Sequence, residues 1–162
     1  MKKITPFLWF DGNAEEAVEF YTGIFPNSAI THTSHSDEAG PGEPGSVLTI
    51  GFSLNGNEMT ALNGGPAFKF SEAISLFVHC DDQDEINYYW EKLLEGGTPM
   101  ACGWLKDKFG VAWQIVPAGF FEMITGDDEA RNSRVKAAMY TMIKFDIAAL
   151  EAAYHDKNPN IA

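Results

Sequence analysis

Gln114 is the residue whose chemistry needs explaining first. It stands in the run Val111-Ala112-Trp113-Gln114-Ile115-Val116. In a strand it shares a face with Ala112 and Val116, which puts two donors and two acceptors among apolar side chains. A buried amide must find partners. Two readings stay open for it: it satisfies nearby backbone or cross-strand groups, or it orients a bound ligand. His79 closes an apolar run and can take or give a proton near neutrality, as a general base would. The competing reading is an inert, hydrogen-bonded histidine at a strand end. Cys102 is expected to behave as a small apolar residue, with only Lys106 nearby in sequence to favour a thiolate. His32 and His35 are oddly spaced in a β-rich run, so they fall on opposite faces and are not expected to share a metal.

These side chains need a scaffold. Cys102 to Pro117 reads as a β-hairpin, with an apolar arm ending at Trp104 and Leu105, a turn Lys106-Asp107-Lys108-Phe109-Gly110, and the alternating arm that carries Gln114. Upstream, Ile4 to Phe10 is apolar throughout and predicts a strand covered on both faces. Asn13 followed by Glu16 predicts a capping box that opens a helix with Ala17, Phe20, Tyr21 and Ile24 on its apolar face. Ser28 to Ser36 is β-rich. Asp37 to Gly45 predicts a mobile loop, and Ser46 to Leu54 with Glu58 to Leu62 predicts a hairpin about Asn55-Gly56-Asn57. Asn63-Gly64-Gly65-Pro66 turns into a linker, and Asn63 is expected either to serve that turn or to touch a ligand from a cleft rim.

The order then begins again. Ala73 to Cys80 predicts a strand, Asp81-Asp82 a cap, and Gln83 to Glu95 a helix with Ile86, Tyr89, Trp90, Leu93 and Leu94 on one face, ended by Gly96-Gly97. A strand from Thr98 leads into the hairpin. Phe20-Tyr21 superpose on Tyr89-Trp90, Gly56 on Gly110 and Thr60 on Gln114, and the helix offset pairs Pro6 with Ser75, Leu8 with Phe77 and Phe10 with His79. Each half is therefore β-α-β-β-β. The expected fold is α+β: tandem βαβββ modules forming a curved mixed sheet around a cleft, with C-terminal helices. The boundaries are 1–66 and 67–125 for the modules and 126–162 for the helical extension, in one compact domain overall. The extension carries one stripe of Val135, Ala138, Met139, Met142 and Ile143, then a second helix capped by Asp146 with Ile147, Leu150 and Tyr154 inward.

Bulk properties narrow the partners. With 162 residues, 45% of them hydrophobic, and 12 Phe, 4 Trp and 5 Tyr, the chain can fill a sizeable core. Its formal net charge of −12 argues against nucleic acid and against anionic membrane surfaces. Apolar runs fall short of the roughly 20 residues that span a bilayer, and Ile4 to Phe10 is too short for a signal-peptide core. Two sparse cysteines suit a reducing compartment, so a cytoplasmic location is expected.

A tandem βαβββ chain of this size resembles the vicinal oxygen chelate superfamily, which includes glyoxalase I, extradiol dioxygenases, fosfomycin-resistance enzymes and bleomycin-binding proteins. Within it, AEEAVEFYTGIFPNS, NGNEMTALNGGPAF and CGWLKDKFGVAWQIVP resemble the PhnB-like family, some members of which carry a demethylubiquinone methyltransferase description; the likeness spans about residues 4–155. Methyl transfer from a nucleoside donor would want a Gly-rich loop between a strand and a helix. Asn63-Gly64-Gly65-Pro66 instead leads into a linker.

The resemblance places a metal site, carried over by the repeat, at Pro6, Thr60, Ser75 and Gln114. Proline has no ligand atom, hydroxyls are poor transition-metal ligands, and Gln114 offers one neutral carbonyl, so no metal and no cofactor are expected. If Ser75 faces the cleft, Phe77 and His79 share its face, and Cys102 and Trp104 approach from the neighbouring strand. The expected ligand contacts are then Gln114, Ser75, Trp104, Asn63 and Cys102, with His79 the candidate catalytic base. The resemblance also implies a homodimer. Three functions follow as expectations: a metal-independent binder of a small organic molecule; an isomerase, lyase or dioxygenase-like enzyme using His79 or an atypical metal; or a drug-sequestering resistance protein.

Overall fold

The computed structural model describes residues 4–39 and 42–156. Residues 40–41 of the expected mobile loop and the last six of the extension lie outside the described residues. The chain divides into two compact units, residues 1–70 and 71–162, and the C-terminal helices belong to the second.

The first unit runs β1 (Phe7–Phe10), α1 (Ala14–Ile24), β2 (Ala29–His35), β3 (Val47–Leu54) and β4 (Asn57–Asn63). Its open four-stranded sheet has the order β1-β4-β3-β2, with β1 parallel to β4 and the other pairs antiparallel. Asn55 (φ 46°) and Gly56 (φ 76°) turn the β3–β4 hairpin, the positive-φ pair that a two-residue connection requires. α1 covers one sheet face with Ala14, Ala17, Val18, Tyr21 and Ile24. Leu8 and Phe10 are buried, whereas Phe7 is 60% exposed, so β1 alternates instead of being covered on both faces.

The second unit repeats the plan: β5 (Leu76–Cys80), α2 (Gln83–Leu93), β6 (Thr98–Pro99), β7 (Trp104–Lys106) and β8 (Ala112–Pro117), in the order β5-β8-β7-β6. Here Asp82 caps the helix as expected: its carboxylate accepts from the Glu85 N–H at 2.9 Å, and the Glu85 carboxylate reaches back to the N–H of the preceding Asp81 at 2.9 Å, whereas the Asn13 side chain of the expected capping box makes no cap on α1. Ile86, Tyr89, Trp90 and Leu93 face inward from α2. α3 (Phe120–Thr125), α4 (Glu129–Tyr140) and α5 (Ile147–Tyr154) complete the unit.

The α+β class and the tandem modules are present, as two separate four-stranded sheets. Strand register corrects one detail of the repeat. Leu8 pairs with Ala61 as Val78 pairs with Ile115, and Phe7 pairs with Thr60 as Phe77 pairs with Gln114. The first strands therefore superpose one residue further along than the helices do: Leu8 corresponds to Val78, Phe10 to Cys80 and Trp9 to His79. The cause is the strand-to-helix connection, three residues (11–13) in the first unit and two (81–82) in the second. An offset taken from the helices carries one residue of error back into the strands, and a slip of one residue exchanges the two faces.

The expected stripe of the extension also changes. α4 ends at Tyr140, so Met142 and Ile143 lie beyond it, and Ile143 is 57% exposed. Their carbonyls accept from the N–H groups of Cys102 (2.8 Å) and Gly103 (2.7 Å), stitching the segment after α4 to the approach of β7. α3 has no counterpart in the expectations, because Phe120-Phe121 continues an apolar run without a helix-start signal. Asp146 caps α5 as expected, accepting from Ala149 N–H at 3.0 Å.

Candidate functional site

The β7–β8 hairpin positions the site. Trp104 pairs with Gln114, Leu105 with Trp113 and Lys106 with Ala112. Asp107 locks the turn from inside. Its Oδ1 accepts from the N–H groups of Phe109 (2.9 Å) and Val111 (3.0 Å), and its Oδ2 from the indole N–H of Trp113 (2.8 Å). A buried carboxylate persists only with such charge-assisted partners. At the other side of the hairpin, Lys106 reaches the Glu72 carboxylate at 2.5 Å, and that hydrogen bond holds the exposed Glu72 carboxyl below its ordinary pKa.

With Trp113 and Ile115 fixed toward α2, Gln114 and Val116 face the other way by strand alternation. The Gln114 side-chain N–H donates to Ser75 Oγ at 2.8 Å, so the polar partner demanded of this amide is the residue just before β5. Among the described residues no other hydrogen bond to Gln114 is made by a side chain.

Gln114 forms part of the wall of a cavity of about 330 Å³ within the second unit, together with Phe77, Cys102, Trp104 and Val116 from the module and Phe120, Phe121, Met139, Tyr140 and Phe145 from the extension. No charged side chain is among them. Phe77 stacks on Phe121 with centroids 5.7 Å apart and rings 25° from parallel, and Phe120 meets Phe145 at 5.2 Å.

Cys102 turns into the cavity from a left-handed backbone (φ 58°), with its thiol 3.7 Å from the Met139 carbonyl. The following Gly103 (φ 76°) is required by the packing: a Cβ there would stand 2.5 Å from the Phe145 ring and 2.7 Å from the Ile115 carbonyl. Cys80 is sealed beneath α2. Burial pushes its thiol up to about 12, with the charges of Glu85, Asp81 and Asp82 adding to the shift.

The structure thus brings together four of the residues singled out from sequence: Gln114, Trp104 and Cys102 in the cavity wall, and Ser75 behind Gln114. His79 points to the same side of β5 as Phe77, whose ring it meets at 4.7 Å, but it lies exposed at the strand end, outside the cavity lining.

Asn63 lies in the first unit, where its amide is committed to protein. It accepts from the Ala14 N–H at 2.9 Å and donates to Glu15 Oε2 at 2.7 Å and to the Val47 carbonyl at 3.0 Å. Asn63 therefore closes the N-terminus of α1, where Asn13 makes no side-chain cap, and both its N–H donors are spent. A second hollow of about 340 Å³ includes it, with Asp11, Glu15, Ser36 and Ser46.

Reasoning from sequence missed Phe120, Phe121, Met139, Tyr140 and Phe145, since nothing in a one-dimensional pattern says that the extension folds back over β7 and β8. The apolar pair Phe120-Phe121, directly after a hairpin that ends at Pro117, was the available signal.

The donor set does not fit a bound transition metal. Proline offers no ligand at position 6, Thr60 and Ser75 offer hydroxyls, and Ser75 Oγ is already engaged by Gln114. The register correction puts Phe7 and Phe77 opposite Thr60 and Gln114, which adds no ligand atom. Among the described residues, no group of three or more His, Cys, Asp or Glu side chains could hold a metal.

Two βαβββ modules, each with a mixed sheet and one covering helix, define the glyoxalase/bleomycin-resistance fold, and solved structures share it. A Pseudomonas aeruginosa protein, PA1353, is 21% identical with a TM-score of 0.61, over 72% of this chain and 98% of that one. The fosfomycin resistance protein FosX of Listeria monocytogenes, solved with Mn(II) and sulfate, is 14% identical with a TM-score of 0.51, over 70% and 90%. The PhnB protein of Bacillus cereus, described as a 3-demethylubiquinone-9 3-methyltransferase, is 40% identical with a TM-score of 0.66, over 72% of this chain and all of that one. A family profile described as 3-demethylubiquinone-9 3-methyltransferase matches residues 2–116. The chain belongs to this PhnB-like family and has the fold of the vicinal oxygen chelate proteins. No curated protein matches the chain. Among the described residues, no helix is long and apolar enough to cross a membrane.

Proposed function

We propose that this protein binds a small organic molecule in the cavity of its second module, without the superfamily's metal. Gln114 is the polar contact, Trp104 a wall, Cys102 a lining group and Ser75 the residue that sets the amide's orientation. The observation that carries this reading is the Gln114 amide, held by Ser75 on the wall of an otherwise apolar cavity of about 330 Å³. That volume is in the range of small-molecule sites, which pair mostly apolar walls with a few placed polar groups. The reading includes a homodimer in the cytoplasm.

Methyl transfer, which the family description names, finds no support in the strand-to-helix connections. Asp11-Gly12-Asn13 and Asp81-Asp82 are short and acidic, and neither offers a Gly-rich cradle for a nucleoside donor.

A second reading is an enzyme using His79 as base, favoured by the placement of His79 on the same strand face as Phe77, a cavity residue. A drug-sequestering role would draw on the net charge of −12, but the cavity wall itself offers no anion to a cationic drug.

A thermal-shift screen of metabolites against the full chain, followed by Gln114→Ala and His79→Gln, tests these readings. Binding requires a ligand whose stabilisation disappears in Gln114→Ala and survives in His79→Gln. A turnover lost only in His79→Gln would favour the enzyme. A stoichiometric transition metal in untagged protein would overturn the metal-free reading, and a monomeric mass by light scattering would overturn the dimer.

A further inference from the structure

Half of the cavity wall comes from a part of the chain outside the family match. Phe120, Phe121, Met139, Tyr140 and Phe145 all follow residue 116, where that match ends. The segment that carries them is fastened at several points. Cys102 and Gly103 donate to the Met142 and Ile143 carbonyls, and the Gln83 side chain donates to the Phe145 carbonyl (3.1 Å) while accepting from the Ile147 N–H (2.9 Å). Lys144 donates to Asn87 Oδ1 at 2.6 Å. These bonds use both ends of one amide and several backbone groups on one short stretch, so the extension is a built wall of the second module and not a trailing segment.

What that wall adds is aromatic and uncharged. The cavity is bounded by rings on several sides, and its polar groups are the Gln114 amide, the Trp104 indole N–H, the Cys102 thiol and the Tyr140 hydroxyl. An ion entering it would give up hydration with no opposite charge to meet it, which disfavours charged ligands. A flat ring gains area and stacking against Phe77, Phe121 and Trp104. Gln114 spends one N–H on Ser75, which leaves its carbonyl oxygen to accept from a ligand and its second N–H to donate, so a ligand hydroxyl or N–H finds an acceptor there.

We infer that the C-terminal extension sets the specificity of this site, and that its ligand class is a neutral, flat ring compound carrying a hydroxyl or N–H that donates to Gln114 Oε1. The inference rests on the proposed function, since it names the ligand class of the same cavity.

The test uses the full chain and three probes of one shape: 2-naphthol, which has a donor; 2-methoxynaphthalene, which has none; and 2-naphthoate, which is charged. Calorimetric titration should show 2-naphthol binding, the methoxy compound weaker by about tenfold for one lost hydrogen bond, and the carboxylate weaker by about 100-fold or more. Phe121→Ala and Tyr140→Ala alter rim residues that are 49% and 71% exposed, so the fold should tolerate both, with melting temperature as the control. Each should weaken 2-naphthol by about fivefold or more. Carboxylate binding equal to that of 2-naphthol overturns the neutral ligand class. Binding that is lost in Gln114→Ala but unchanged in both rim variants overturns the role of the extension and leaves the proposed function standing. Failure of every probe to bind at millimolar concentration overturns the flat-ring ligand class, while the proposed function falls only if the metabolite screen also finds no ligand that depends on Gln114.

Discussion

Removing the Asp107 carboxylate should cost more stability than any other single polar change in the second module. Asp107 is 4% exposed and accepts three hydrogen bonds that tie its turn to Trp113, itself 2% exposed. A hydrogen bond to a charged partner contributes about 1.5–3 kcal/mol. Asp107→Ala leaves the Val111 N–H and the Trp113 indole N–H buried without this acceptor, while the half-buried Phe109 N–H can recover water. The expected loss is about 4 kcal/mol. Asp107→Asn keeps one oxygen for the two backbone donors but turns its NH₂ toward the indole N–H, so about 2 kcal/mol is expected. Urea unfolding followed by far-ultraviolet circular dichroism reads both. At an m-value of about 2 kcal/mol/M the midpoint should fall by about 2 M for Ala and about 1 M for Asn. Trp113→Phe deletes the indole donor and supplies the control: in that background Asp107→Asn should cost about 1–2 kcal/mol less, because the clash it creates is gone. A midpoint within about 0.3 M of the parent for Asp107→Ala, or strict additivity of the Asn and Phe changes, would show that the carboxylate does not hold the hairpin.

Asn63→Ala should destabilise the first unit by about 1–2 kcal/mol by uncapping α1 and freeing the Val47 carbonyl, a loss that thermal denaturation can read. Asn63→Asp should recover the bond from Ala14 but repel Glu15, so an intermediate melting temperature is expected. Cys80 should resist iodoacetamide while the protein is folded: with its pKa pushed up to about 12, about one thiol in ten thousand is ionised at pH 8, and mass spectrometry should place the first label on Cys102. The same shift has a sign for stability. The neutral thiol is favoured by the folded state, so its contribution is intact below about pH 9 and is lost as pH rises toward 12; a Cys80→Ala variant should show a flatter decline over that window. Gly103→Ala should force Phe145 off the approach to β7, weakening 2-naphthol binding as well as stability, and unchanged binding there would argue against Phe145 as a wall.

Much of this protein was legible in one dimension. Apolar periods of 3.6 and 2, the Asp81-Asp82 cap, the Asn55-Gly56 turn and the repeat all depend on neighbours within a few residues, and the βαβββ plan follows from them. The demand that Gln114 have a polar partner was equally local, since it came from alternation in a single strand. The repeat offset failed in β1 and β5 because a helix and a strand joined by connections of different length do not shift together.

What the tertiary structure alone decided is which groups meet. From sequence Asn13 looks like the cap of α1 and Asn63 like a turn residue or a ligand contact, and only the parallel pairing of β1 with β4 puts the Asn63 amide, and not that of Asn13, on the Ala14 N–H. Ser75 as the partner of Gln114 needs β5 beside β8, and the aromatic wall needs residues 118–145 to return over the hairpin. Such contacts join residues dozens of positions apart, and their energy depends on geometry that local propensity does not contain. The sequence by itself therefore determined the elements and the chemistry they carry, and the folded chain determined that an amide, an indole and a thiol face a ring-lined cavity whose far wall comes from the extension.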